Sequence, residues 1–329
     1  MMDLPNLVVL DVGHGNCSVL MDTGGITIFD GGLGDVLLEF LETNNITDIA
    51  SVLISHTHED HIAGLITVLL APNINVTNVY VNPDPNPTDI WKEFRSAIKH
   101  ARTNKGTIPN TQLNTSLTGQ LDHGSVHIEI LSPVPETAMS GVTGQDLNDK
   151  QITRHAMSAV VRLKKDDVPL VLLSGDLDSR GLEYMLKDMI DARAKVLIFP
   201  HHGGKPSSGD VSKFTQQLCE LTHSDIFIFS IGRGTHGTPQ FAVVEKVREI
   251  QPQARILCTQ LSEHCTSKLP KHQSDHLNDL PAAGDYSNSC CAGSIVVDMS
   301  KSNIVILPSE EAHTDFIQGA ASTPLCLSD

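Results

Sequence analysis

The stretch VLISHTHEDHIAGL, residues 52–65, sets three histidines and two acids into six consecutive positions between two apolar runs. Val52 to Ile54 reads as a short buried strand, and Ile62 to Leu70 as the core face of a helix. The polar knot therefore falls where a strand hands over to a helix, and open α/β sheets gather their sites at the carboxyl ends of strands. A hydrophobic core has no use for His56, His58, Asp60 and His61 side by side, because each polar group buried without a partner costs free energy. The chain is thus expected to be an α/β protein with a site at a sheet edge.

The rest of the pattern extends this reading. NLVVLDV, CSVLMDT and ITIFDGG are three closely spaced strands separated by Gly-containing turns, followed by a helix through VLLEFLETN. Beyond the knot the chain reads as a strand at VTNVYVN, a helix at IWKEFRSAIKHA and a second batch of strands at SVHIEIL, MSAVVRL and LVLLSGD. Helices at GLEYMLKDMI, VSKFTQQLCEL and FAVVEKVREI then alternate with strands at AKVLIFP, DIFIFSIG and ARILCTQL, and GSIVVDM and NIVILP close the series. Strands in two batches, each with helices, predict two sheets packed together with helices outside. A chain of 329 residues can be one large α/β domain or two ordinary ones. No repeat, linker or composition break divides it, so one domain is expected over residues 1–308. Residues 132–154 and an insertion at about 262–289 look irregular, and 309–329 reads as a flexible tail.

Composition removes several classes. A net charge of −16 disfavours a broad nucleic-acid-binding surface, which needs clustered Lys and Arg. Seven cysteines, an odd number scattered through a long chain, do not form a disulfide framework. The start lacks a basic segment followed by an apolar one, and no apolar run reaches the length of a membrane span. The expectation is a soluble cytoplasmic protein without membrane contact.

Several other strands end in chemistry. ITIFD delivers Asp30 ahead of Gly31 and Gly32, LVLLSGD delivers Asp176, KVLIFPHHGG delivers His201 and His202, and FIFSIGRGTHG leads to Arg233 and His236. One acid after a strand is ordinarily a turn or cap residue. The same arrangement repeated beside a histidine knot points instead to a metal centre. Neutral imidazoles and carboxylates suit zinc, manganese or iron(II), and a histidine-rich set leans to zinc. Six or seven ligands exceed the need of one tetrahedral ion, so two divalent ions sharing a carboxylate are expected. Such pairs make hydroxide available near neutral pH, which makes hydrolysis the expected reaction.

SHTHEDH resembles the metal signature of the metallo-β-lactamase superfamily, whose domains are four-layer αββα sandwiches with a dinuclear site at one edge. The resemblance runs from about residue 6 to 308. More narrowly, DVGHGN, FDGG, LLSGD, FPHHGG and SIGRGTHGTP are similar in order and spacing to the hydrolase domain of ComEC-type DNA-uptake proteins. The resemblance implies His56 and His58 on one metal and Asp60 and His61 on the other. Asp176 would bridge them and His202 would complete the second set. His155, in TRHAMSAVV, stands where the superfamily often supplies a further histidine to the first metal, a place the ComEC pattern tends to fill with asparagine. Asp30, His14 and His201 are candidates for contacts to ligands or substrate. His14 replaces the glutamine of the narrower pattern. Asp60 is a candidate catalytic residue as well as a ligand. His236 is expected to donate a proton or bond a phosphate oxygen, and Arg233 to neutralise a phosphate. His264, Cys265, His272, His276, Cys290 and Cys291 superficially resemble a structural zinc set, but their spacings match no established pattern.

Three functions follow as expectations. The first is a metal-dependent phosphodiesterase or nuclease of ComEC-like type. The second is a hydrolase of small esters, lactones or thioesters, which the acidic composition favours over an enzyme for long DNA. The third is a metal-bearing sensing module without turnover, whose mark would be missing ligands; none is missing.

Overall fold

A computed structural model describes residues 4–207, 209–272, 275–301 and 303–327. Strands β1 (Asn6–Val9), β2 (Ser18–Asp22), β3 (Gly25–Phe29), β4 (Asp48–Ile54), β5 (Asn75–Val81) and β6 (Ile108–Asn110) open the first sheet. The second sheet holds β7 (Val126–Ser132), β8 (Val160–Lys165), β9 (Val168–Leu173), β10 (Val196–Ile198), β11 (Ile226–Phe229) and β12 (Arg255–Cys258). The chain then returns to the first sheet with β13 (Ile295–Asp298) and β14 (Val305–Leu307). The orders are β14-β13-β1-β2-β3-β4-β5-β6 and β12-β11-β10-β9-β8-β7.

Each sheet is antiparallel in one half and parallel in the other. Strands β3 to β6 run parallel, as do β9 to β12. Leu53 of β4 stands between Phe29 of β3 and Tyr80 of β5. Parallel strands put their carboxyl ends on one edge, and the two parallel halves are where the polar residues of the sequence collect.

The layers follow from side-chain alternation, since successive residues of a strand face opposite sides. Leu53 of β4 enters the layer between the sheets with Leu7, Val9, Phe29, Ile128 and Val171. Its neighbours Val52 and Ile54 face outward against α1 (Val36–Thr43), α2 (Glu59–Leu70) and α3 (Asp89–Lys105). On the other side, Leu172 and Leu197 pack with Leu182, Phe214 and Val247. Those three lie on the helices after the short α4 (Pro135–Ser140), namely α5 (Ser179–Lys187), α6 (Val211–Thr222) and α7 (Phe241–Ile250). The result is helix, sheet, sheet, helix. Among the described residues no helix is long and apolar enough to cross a membrane.

The tail differs from expectation, whereas 262–289 is as irregular as expected. The tail beyond residue 308 is not loose: Ser309 caps α8 (Glu310–Ala320) by accepting the Ala312 N–H at 3.2 Å, and Ile317 is fully buried against the second helix layer. The ring of Phe316 stacks on His276 at 4.2 Å, and Arg248 donates to the Cys326 carbonyl. Phe316 and Ile317 make too short an apolar stripe to announce a docked helix. The segment 262–289 forms only one 3₁₀ turn, Ala283–Ser287, among its described residues, yet it is anchored. The Ala283 N–H donates to the Asp11 carbonyl at 2.7 Å and the Gly284 N–H to the Asp11 carboxylate at 3.0 Å. Residues 273–274 of that insertion and 328–329 of the tail lie outside the described residues.

Candidate metal centre

The knot occupies the turn from β4 into α2. His56 is buried just past the strand, His58 stands at the helix N-cap, and Asp60 and His61 lie in the first helical turn. A carboxylate there also meets the positive end of the helix dipole. The turn is held from behind by main-chain bonds, with Asn16 N–H donating to Asp60 O at 3.2 Å and Gly31 N–H to His61 O at 2.7 Å. Gly15 is required beside it, because a Cβ at that position would lie 2.4 Å from the Asp60 carbonyl oxygen. From the second sheet, Gly175 at φ +51° lets the end of β9 approach, where a Cβ would lie 2.4 Å from Ser158 Oγ and 2.7 Å from Ser55 Cβ. Asp176, next in sequence, is thereby carried to the knot, and Ser158 Oγ accepts its N–H at 3.0 Å.

Two groups of donor atoms result, each with its members within 4.8 Å of one another: His56, His58, His155 and Asp176, and Asp60, His61, His202 and Asp176. Asp176 belongs to both. Its Oδ2 lies 3.6 Å from His56 Nε2 and 3.9 Å from His155 Nε2, while its Oδ1 lies 3.5 Å from His61 Nε2 and 3.7 Å from His202 Nε2. Within the first group His58 Nδ1 is 2.9 Å from His56 Nε2 and 3.1 Å from His155 Nε2. In the second, Asp60 Oδ2 is 3.2 Å from His202 Nε2 and 3.7 Å from His61 Nε2.

The surroundings fit divalent cations. His61 Nε2 and Asp176 Oδ1 are both buried and without a hydrogen-bond partner, although they face each other. Leaving such atoms dry and unpaired is costly, and a cation between them removes the cost. Burial, together with the neighbouring His61, holds His56 well below the ordinary imidazole range; burial and His155 bring His58 down to about 4. Both rings therefore present lone pairs, as metal ligation demands. At His61 burial works the same way but is overcome by Asp30, Asp60 and Asp176, which raise it well above the usual value. Burial would raise Asp60 and Asp176, yet His61 and the other imidazoles hold both well below the carboxylate range. The cluster calls for positive charge at its centre.

Outer contacts set the tautomers. His61 Nδ1–H donates to Asp30 Oδ2 at 2.8 Å, and His202 Nδ1–H to the Ser230 carbonyl at 2.8 Å, which leaves both Nε2 atoms free for ligation. Asp30 in turn accepts the N–H and the Oγ–H of Ser55, each at 2.7 Å. Arg154, paired with Asp84, lies 2.9 Å from His58 Nε2 but cannot donate to it while His58 offers its Nδ1 lone pair, because the ring proton then sits on Nε2. Asp30, His201, His202 and His236 all have φ between 52° and 56°, a left-handed conformation uncommon for residues with a Cβ.

An open pocket of about 460 Å³ gives access, lined in part by Asp60, His155, Asp176, His202, His14 and His236. The His14 ring stands 4.3 Å from that of His202 and 4.8 Å from that of His236, so His14 and His236 form a wall beside the second donor group. His201 is drawn into the cluster, with Nδ1 3.5 Å from Asp176 Oδ2, but belongs to neither donor group. Arg233 departs from expectation. Its guanidinium donates to the carbonyls of Leu261 at 2.8 Å and Thr266 at 2.7 Å, tying down the irregular segment rather than facing the pocket. Among the described residues neither donor group includes His264, Cys265, His272, His276, Cys290 or Cys291. Arg154 and Lys205, which lines the pocket, were not anticipated, although each adjoins a motif, RHA and HHGGK.

Four layers with paired donor groups at the parallel edge define a metal-dependent hydrolase. A model of the metallo-β-lactamase superfamily matches residues 10–208, and the chain belongs to that superfamily. Solved structures of similar fold include the metallo-β-lactamase fold protein YhfI from Bacillus subtilis, 12% identical, covering 77% of this chain and 96% of that one with a TM-score of 0.48. Another is Tm1679, described as a metal-dependent hydrolase of the β-lactamase superfamily, 16% identical, covering 77% and 95% with a TM-score of 0.47. Zinc-bound PqqB from Methylobacterium extorquens is 10% identical, covering 77% and 97% with a TM-score of 0.47. No curated protein matches the sequence.

Proposed function

We propose that the centre holds two divalent ions, zinc by preference with manganese as the alternative, and hydrolyses phosphodiesters in the manner of the ComEC-like domains its motifs resemble. The observation that carries this reading is the division of Asp176, one oxygen toward His56 and His155 and the other toward His61 and His202. His56, His58 and His155 would hold the first ion, and Asp60, His61 and His202 the second, with Asp176 shared. Ions so held supply Lewis acidity and bring the ionisation of water close to neutral pH.

The chain's own groups do the rest. Asp30 and Ser230 hold His61 and His202 in orientation, and Asp84 holds Arg154 against His58. His236, exposed on the pocket wall, protonates the leaving oxygen, a role typically worth about 10² to 10⁴ in rate. His14 packs between His202 and His236 and keeps that wall in place. A small-ester hydrolase is the second reading, favoured by the charge of −16.

The test is an activity screen of metal-loaded protein on bis-p-nitrophenyl phosphate, a lactone panel and short oligonucleotides, together with His236→Ala. Phosphodiester cleavage is expected, with His236→Ala slowing oligonucleotide hydrolysis far more than that of the nitrophenyl ester, whose leaving group departs unprotonated. Turnover confined to lactones, or equal small effects of His236→Ala on both phosphodiesters, would move the assignment to the small-ester hydrolase.

A further inference from the structure

Resting on that reading, we propose that Lys205 selects substrates that carry a second phosphate beside the scissile one, which makes the preferred substrates short phosphorylated nucleotide esters rather than neutral or singly charged ones. With Arg233 turned away, Lys205 is the one Lys or Arg among the described residues that line the pocket. Its side chain makes no ion pair with a described residue, in a chain with 39 acids to offer. Other exposed lysines, Lys99 and Lys213 among them, make none with a described residue either; what sets Lys205 apart is its place on the pocket.

The position is built. His202, three residues earlier, belongs to the second donor group, and the turn between them is fixed by Gly204 N–H donating to His201 O at 2.7 Å and Gln240 N–H to Gly203 O at 2.9 Å. Pro206 follows, which restricts the Lys205 backbone to the extended region and so fixes where its side chain leaves the main chain. Asp60, Asp176, a hydroxide and a phosphodiester monoanion would offset two divalent ions, with Asp30 a further carboxylate behind His61, so the centre itself takes one phosphate and the Lys205 ammonium on the pocket rim stands open to a second. A single such cation on an acidic protein serves one flanking phosphate and not a long polyanion, whose binding needs many contacts.

Two esters that differ by one group test this: thymidine 5′-(p-nitrophenyl phosphate) and the same compound with a 3′-phosphate. The ratio of their kcat/KM values, phosphorylated over unphosphorylated, is expected to exceed one in the wild type. It should fall about fivefold in Lys205→Ala, as suits a solvent-exposed charge contact, fall further in Lys205→Glu, and persist in Lys205→Arg. Calorimetry of thymidine 3′,5′-bisphosphate against thymidine 5′-monophosphate should give the same order of affinities without turnover. Raising the salt concentration should draw the wild-type ratio toward that of Lys205→Ala. Hydrolysis of both esters with a ratio unaffected by Lys205→Ala and Lys205→Glu would overturn the role of Lys205 alone. Hydrolysis of neither ester by the wild type would remove the phosphodiesterase reading and this inference with it.

Discussion

Replacing Asp30 by asparagine removes one negative charge and one acceptor while keeping size and shape. Asparagine tolerates the left-handed backbone at φ 55° about as well as aspartate, so the substitution does not disturb the turn. Asp30 accepts three bonds, from Ser55 N–H at Oδ1 and from Ser55 Oγ–H and His61 Nδ1–H at Oδ2. The amide has one oxygen for these two directions. If that oxygen faces Ser55 N–H, the amide NH₂ faces His61 Nδ1 and favours the tautomer with its proton on Nε2, the atom turned toward Asp60 and Asp176. If it faces His61, the Ser55 N–H is buried against a second donor, at a cost of about 1–3 kcal/mol. Metal-free Asp30→Asn is therefore expected to be folded and less stable by about that amount. Its affinity for the ion of the His61 group should fall about 10- to 100-fold, the usual effect of losing an outer partner of a ligating histidine, equivalent to about 1.4–2.7 kcal/mol. The ion of the His56, His58 and His155 group should be affected less. Titration against a competing chromophoric chelator separates the two ions, and thermal melts of the metal-free proteins supply the stability term. Wild-type affinity for both ions in Asp30→Asn would refute the claim that Asp30 sets the His61 tautomer.

Asp176→Asn should lose both ions in elemental analysis together with the rate, because each carboxylate oxygen serves a different group; retention of both ions would return Asp176 to a turn residue. Arg233→Ala should lower the unfolding free energy by about 1–3 kcal/mol through two lost bonds to main-chain carbonyls and leave KM within about twofold, whereas a large rise in KM would restore it to the pocket. Burial raises Asp11 from 3.8 to about 6, only partly offset by bonds from Gly13, Gly284 and Gln260. A raised carboxyl favours folding while protonated, so about 3 kcal/mol of stability is present below pH 4 and lost as the pH climbs from about 4 to 6. Urea midpoints of the metal-free wild type should fall more steeply across that window than those of Asp11→Asn; parallel slopes would sink the assignment.

What was legible divides along physical lines. Every strand but β6, three residues at the sheet edge with a proline at the centre, showed itself by being apolar on both faces or alternating, and the candidate ligands stood out because three histidines and two acids within six positions just past Ile54 have no other economical use. The resemblance singled out Asp176 and His202 as further candidates, and both follow strands of the parallel half of the second sheet. Direction was the part that spacing could not carry. Both His201 and His202 adopt left-handed φ, and nothing in FPHHGG states that His202 aims Nε2 at Asp60 while His201 aims Nδ1 at Asp176 alone. Arg233 misled for the same reason: a cation in a Gly-rich turn looks like an anion contact until its acceptors, the carbonyls of Leu261 just past β12 and of Thr266 in the irregular segment, are seen. A metal centre is readable because its ligands must be particular residue types, whatever loop bears them. The pocket wall is built by single side chains from separate turns, His14, Lys205 and His236, whose meaning lies in the charge and orientation left over once every other group is paired.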